Sequence, residues 1–180
     1  MSDSGEETDV YLRAMMALDE SGYVMSLEVG EDNARVLTPG DAVRYGAAML
    51  RAVAQAEHDA SVVRQSVEML QIPLEGATAF IAAMRQERPA PDPQDTAPLI
   101  FEPSVSTLYE PFIEVWFDGE ALWQWDMDEA RAHAVEVITG AHRADLDSAY
   151  YHMLMGSVNL EKREARLAVA DLYLDPASQL

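Results

Sequence analysis

The chain has 180 residues, no cysteine and a formal net charge of −20 at pH 7. This length suffices for one ordinary domain or two small ones, with a core that needs no metal or disulfide. The lack of cysteine excludes thiol chemistry and cysteine-ligated zinc. The negative charge argues against direct binding to nucleic acid or to an anionic membrane, and fits either a basic partner or simple solubility.

The first half of the chain predicts a small antiparallel sheet followed by two helices. Residues 1–9 are polar and predict a disordered terminus. Residues 10–18 fit a helix or a strand, and their place before two further strands, 23–29 and 35–37, favours a strand. The segment from Thr38 to Asp41 is a helix-capping signature. After it, apolar or small residues recur at alternating steps of four and three, which predicts a long helix packed along one seam: Ala42, Gly46, Met49, Val53, Ala56, Ala60, Val63, Val67 and Leu70.

Proline residues in the middle of the chain interrupt the helical pattern and mark a linker. Pro73 interrupts the long helical pattern, and a shorter amphipathic helix is predicted over residues 74–84. Residues 85–98 are rich in proline and polar side chains, which predicts an extended linker. The division predicted from sequence is therefore a first unit at 10–84, the linker, a second unit at 99–174 and a tail at 175–180.

The second half contains an acidic, aromatic hairpin that leads into a helix. It holds all three tryptophans, and no Lys or Arg occurs between Pro89 and Ala130. Asp118-Gly119 between apolar runs is typical of a two-residue hairpin turn. Pairing outward from this turn predicts one apolar face with Ile113, Val115, Phe117 and Leu122, and an opposite face with Phe112, Glu114, Trp116, Ala121, Trp123 and Trp125. Two apolar faces fit either a sheet covered by other layers on both sides or a tryptophan face that serves as an interface.

The two halves of the chain share a hydropathic register at a constant interval. Ala42 aligns with Ala130, and Thr38 aligns with Asp126, so that one capping residue falls on another. The second long stripe is Ala130, Ala134, Val137, Ala141, Ala144, Ser148, Tyr151 and Met155. We therefore expect an α+β fold of two tandem repeats, each a hairpin or meander followed by a long and a short helix, packed as a pseudo-dimer.

The chemistry-bearing residues give little sign of catalysis. The common phosphate-loop, nucleophile-elbow and zinc-helix motifs are absent from the sequence. His142 and Asp145 lie one helical turn apart, but a surface ion pair is the simpler interpretation. Asp59 and Asp147 occupy matched places in the two long helices. Contacts between helices are one interpretation, but we expect both residues to be solvated. Lys162, Arg163 and Arg166 form the only basic concentration, which predicts pairing with the acidic hairpin or exposure to water.

These patterns favour a non-catalytic, cytoplasmic interaction protein without metal or cofactor. The predicted binding residues are those of the acidic, aromatic hairpin, which would dock a basic or arginine-rich protein surface; nucleic-acid mimicry is a special case. Two alternatives remain open: a self-associating structural protein, such as a homodimer, or a small ligand binder or enzyme with a pocket between the repeats. The candidate site consists of Phe112, Glu114, Trp116, Asp118, Glu120, Trp123 and Trp125.

Overall fold

The computed structural model describes residues 10–17, 21–29, 33–87, 99–117 and 119–173. The predicted disordered terminus, the C-terminal tail and most of the linker lie outside these ranges, as does Asp118. The described chain is α+β, as predicted, with two three-stranded antiparallel sheets and four helices.

The first sheet comprises β1 (Val10–Met16), β2 (Tyr23–Val29) and β3 (Asn33–Leu37), in that spatial order. The strand interpretation of the first segment is thus confirmed. The second sheet comprises β4 (Leu99–Val105), β5 (Pro111–Phe117) and β6 (Glu120–Trp125), again in sequence order. Gly119 in the turn before β6 has a φ of +86°, a conformation that glycine adopts without a Cβ clash.

The helices are α1 (Pro39–Glu68), α2 (Leu74–Gln86), α3 (Met127–Gly156) and α4 (Lys162–Asp171). The predicted stripe of α1 is buried from Ala42 to Val63, whereas Leu70 lies past the end of the helix and is exposed. The predicted capping box of α3 is present. Oδ1 of Asp126 accepts the Glu129 amide at 2.8 Å, and Oε2 of Glu129 accepts the Asp126 amide at 3.0 Å.

The chain divides into two compact units, and the division falls inside α3. The second-sheet unit contains residues 41–138, hence β4–β6 with α2, nearly all of α1 and the start of α3. The first-sheet unit contains residues 9–40 and 139–180, hence β1–β3 with the rest of α3 and α4. Each sheet is therefore grouped with the short helix that follows the other sheet in sequence.

Within the second-sheet unit, α1 and α3 approach closely at a glycine. A Cβ at Gly46 would lie 2.6 Å from Cγ1 of Ile138 and 2.9 Å from the Ala134 carbonyl oxygen. The small residues of the seam therefore serve close helix packing, as their pattern indicates. A second cluster in this unit buries Val63, Ala77 and Ile81, where α1 meets α2.

The expectation that Asp59 and Asp147 are solvated is wrong. Both are buried, at 0% and 4% exposure. Oδ2 of Asp59 accepts a hydrogen bond from Nε of Arg85 at 2.8 Å, and Asp147 accepts one from the Tyr173 hydroxyl. A buried carboxylate is tolerated where a donor satisfies it, and each of these two pairs lies within a single unit.

Candidate functional site

The predicted pairing of the β5–β6 hairpin is confirmed for the two pairs next to the turn and is wrong for the pairs farther from it. Phe117 faces Glu120 and Trp116 faces Ala121, but a bulge then shifts the register, so that Val115 faces Trp123 and Ile113 faces Trp125. Leu122 is the extra residue of β6. Because side chains alternate along a strand, one inserted residue moves every later side chain to the opposite face.

The bulge separates the tryptophans that the sequence predicted on one face. Trp123 and Trp125 lie beside Val115 and Ile113, which are fully buried. Trp116 lies on the opposite face with Phe112 and Glu114. Of the other predicted site residues, Glu120 is exposed at the end of the hairpin and Asp118 lies outside the described residues. We call the face of Phe112, Glu114 and Trp116 the outer face.

The inner face of the sheet carries an aromatic cluster that meets α1 and α3. The ring centroids of Tyr45 and Phe101 are 5.1 Å apart. Phe101 stacks on Trp125 with a centroid distance of 6.3 Å, and the centroids of Trp125 and His133 are 4.8 Å apart. These contacts pack the half-buried Trp125 against the core. The sequence pattern missed this role, because Trp125 falls on the buried face only when the bulge is counted.

Burial controls the protonation of two members of this cluster. It raises the pKa of the Tyr45 hydroxyl and lowers the pKa of His133 to about 4, so both are neutral at pH 7. The Tyr45 hydroxyl and Nε2 of His133 are 3.3 Å apart. Packing of the half-buried His133 ring against the aromatic cluster accounts for a neutral imidazole beside a protonated phenol, and no catalytic role is needed.

The outer face places two carboxylates directly opposite each other. Glu102 of β4 pairs in register with Glu114 of β5, and Gln124 of β6 completes the row. Like charges at facing positions of neighbouring strands destabilise a sheet. Glu102 is exposed and Glu114 is half-buried. This row is the most acidic part of the face.

Aromatic and apolar residues flank the acidic row on both sides. The next row toward the turn contains Ile100 opposite Trp116, and the row away from it contains Ser104 opposite Phe112. Ile100 is 62% exposed and adds an apolar side chain to this face. The outer face therefore combines carboxylates with an indole and an exposed aliphatic residue.

A groove of about 490 Å³ lies at the bulge and borders the acidic row. Nε1 of Trp116 and Nε1 of Trp123 are both buried, and neither finds an acceptor among the described residues. The accessible part of the Trp116 indole is therefore its carbon surface. A negatively polarised ring face beside a carboxylate is a suitable surface for a cation. The lining residues are Glu114, Trp116, Ala121, Leu122, Trp123 and Gln124.

Other residues singled out from the sequence belong to the first-sheet unit. His142 and Asp145 are both exposed on α3. Lys162, Arg163 and Arg166 are exposed on α4 in the first-sheet unit, which confirms the expectation of exposure to water. Across the ranges that the structure covers, no helix is both long enough and apolar enough to cross a membrane.

Comparisons with known proteins add no family or relative. No protein-family profile matches the chain, and neither the curated proteins nor the solved structures that were searched gave a significant match.

Proposed function

We propose that this protein is a non-catalytic binding module that recognises a cationic surface of another protein through the outer face of its second sheet. The observation that carries the proposal is the facing pair Glu102 and Glu114. In isolation this pair costs stability. A partner cation between the two carboxylates would relieve their repulsion and gain two charge-assisted hydrogen bonds.

The residues around the pair favour arginine as the partner group. A guanidinium ion is planar, donates to two carboxylates at once and stacks on an indole. Trp116 lies one row from Glu102 and Glu114 on the same face. Its accessible carbon surface offers the stacking partner, while Ile100 and Phe112 offer apolar contact to the aliphatic stem of the side chain.

The rest of the chain supports a basic partner. The net charge of −20 attracts cationic proteins over a distance of about one Debye length, roughly 10 Å at 0.1 M salt. Occupation of a nucleic-acid-binding protein by charge mimicry is a special case of this activity. The outer face, rather than the net charge alone, supplies selectivity in either case.

The proposal is tested by titration with a nona-arginine peptide at two salt concentrations. Glu102→Gln combined with Glu114→Gln removes the facing pair, whereas Glu68→Gln combined with Glu75→Gln makes the same charge change at exposed helix positions. We expect the first double variant to weaken binding at least about fivefold more than the second, since contact ion pairs contribute about 0.5–1 kcal/mol each. Equal weakening by both would reduce the interaction to nonspecific charge attraction and contradict the proposal.

Self-association is the second candidate, and the exposure of Ile100 favours it. An apolar side chain that is 62% exposed beside Trp116 suits a self-complementary dimer contact. Sedimentation over a hundredfold range of protein concentration tests this candidate. A dimer that Ile100→Glu disperses supports it, and a monomer at every concentration excludes it.

We also propose that the chain is a duplicated motif of three strands and two helices. Both long helices have 30 residues. Tyr45 and His133, which contact each other, are 88 positions apart. The same separation relates Gln71 and Asn159, which both have a left-handed backbone conformation. It also relates the buried Asp59 to Asp147, and their respective donors Arg85 and Tyr173 to each other.

The small core clusters support the same duplication. Val63, Ala77 and Ile81 are buried in the second-sheet unit, and the corresponding Tyr151, Ala165 and Val169 are buried in the first-sheet unit. Since each sheet is grouped with the short helix of the other repeat, the repeats would have exchanged their sheets, as the subunits of a domain-swapped dimer do.

A further inference from the structure

The first-sheet unit contains a groove whose chemistry is opposite to that of the outer face. It has a volume of about 610 Å³, within the range of small-molecule sites, and lies between α4 and the facing ends of β1 and β2. Its lining is both apolar and cationic, with Met16, Tyr23, Leu167, Lys162, Arg163 and Arg166.

Three basic side chains line this groove, although the chain has few basic residues elsewhere. The protein has 12 Lys and Arg in total, and its only lysine is Lys162. Lys162, Arg163 and Arg166 lie on the side of α4 that faces the groove. Lys162 and Arg166 also take part in other interactions, so a ligand would share these cations.

The acidic residues at the start of α4 do not line the groove. Glu161 and Glu164 form a capping box, in which each carboxylate binds the backbone amide of the other residue. This capping box occupies the amides of Glu161 and Glu164, and the positive charge that lines the groove comes from side chains. Salt at 0.1 M screens the repulsion between an anionic ligand and carboxylates more than about 10 Å away. It does not screen the attraction between that ligand and three cations in direct contact with it.

Comparison with the other short helix shows that these cations are not required by the packing of α4. At the 88-residue separation, Lys162, Arg163 and Arg166 correspond to Leu74, Glu75 and Thr78 of α2. Both helices nevertheless bury matching residues, Ala77 with Ile81 and Ala165 with Val169. Packing accounts for the buried positions but not for the three cations, of which Lys162 and Arg166 already take part in other interactions.

We propose that this groove binds a small organic anion with an apolar body, such as a long-chain or aromatic carboxylate, sulfonate or phosphate ester. The cations contact the anionic group, and Met16, Tyr23 and Leu167 contact the apolar body. This pairing follows the usual composition of ligand sites, in which apolar walls supply most of the contact and a few charged groups fix the orientation. The site belongs to the first-sheet unit and does not depend on the proposed binding of a cationic partner, whereas the comparison of α4 with α2 rests on the proposed duplication.

The test uses the fluorescent anion 1-anilinonaphthalene-8-sulfonate, with the uncharged N-phenyl-1-naphthylamine as the comparison ligand. We expect saturable binding of the sulfonate that laurate displaces and inorganic phosphate does not. Arg163→Gln combined with Arg166→Gln should weaken sulfonate binding at least about fivefold and leave the neutral ligand within about twofold, as expected for two exposed charge contacts.

The control removes two exposed arginines elsewhere, Arg35→Gln combined with Arg51→Gln, and should leave sulfonate binding within about twofold. A second variant, Leu167→Asp, places a negative charge in the groove and should abolish binding of both ligands at the site. Circular dichroism verifies that each variant is folded. The proposal is overturned if saturable binding is absent, if both arginine pairs have equal effects, or if Trp116→Ala removes the signal while the groove variants retain it.

Discussion

Acidification is predicted to destabilise the protein through His133. Its pKa is about 4 in the folded chain against an ordinary 6.5, because burial disfavours the imidazolium ion. The unfolded chain therefore binds the proton more tightly. The stability contributed by neutral His133 is fully present above pH 6.5 and is lost as the pH falls toward 4. With about 1.4 kcal/mol per pKa unit, the loss at pH 5 is about 2 kcal/mol.

Urea unfolding tests this prediction by giving the free energy of unfolding of the wild type and of His133→Phe at pH 7.5, 6.5 and 5. Phenylalanine keeps an aromatic ring beside Trp125 but does not titrate. Carboxylates titrate in both proteins, so the difference between the two pH dependences isolates His133. The wild type should lose about 2 kcal/mol more than the variant between pH 7.5 and 5. Parallel pH dependences would refute the reasoning that the ring is buried and neutral.

Two further predictions concern packing in the second-sheet unit. Arg85→Ala removes the arginine that donates to the fully buried Asp59 and should lower the free energy of unfolding by about 3 kcal/mol. Arg44→Ala at an exposed ion pair should cost less than about 1 kcal/mol. Urea unfolding compares the two variants, and equal losses would argue against a buried pair. Gly46→Val places methyl groups against Ile138. The melting temperature should fall by several degrees, because overpacking costs about 1–3 kcal/mol. An unchanged melting temperature would show that α1 and α3 are not packed this closely.

The helices were the part of the fold that the sequence predicted best. Alternating steps of four and three define one face of a helix, and the residues from Ala42 to Val63 in that pattern are buried. The caps and Pro73 located the helix starts to within a few residues. These signals are local, so they do not depend on what packs against the helix.

The buried aspartates could also have been found from the same periodicity. Ala52, Ala56, Asp59 and Val63 continue the alternating steps beside the main stripe, which widens the buried face to include Asp59. A charged residue in such a row predicts a buried carboxylate and a nearby donor. The identity of that donor, Arg85, depends on how α2 folds back, which periodicity does not give.

The candidate site was predicted only in part, because strand register is a nonlocal property. The turn at Gly119 fixed the first two pairs of the hairpin, but a single bulge residue at Leu122 reversed the faces of Trp123 and Trp125. Glu102 was missed for a related reason. Its importance comes only from its position opposite Glu114, and the partner of β4 was not assigned from the sequence.

The central claim is that the outer face takes up a cation, and the three indole N–H signals in a ¹H–¹⁵N spectrum test it most directly. Tryptophan-to-phenylalanine variants assign the signals, and nona-arginine peptide is then titrated into the labelled protein. Saturable movement of the Trp116 signal, with the Trp125 signal unchanged in its aromatic cluster, is the predicted result. A Trp116 signal that stays fixed while the peptide binds would contradict the account.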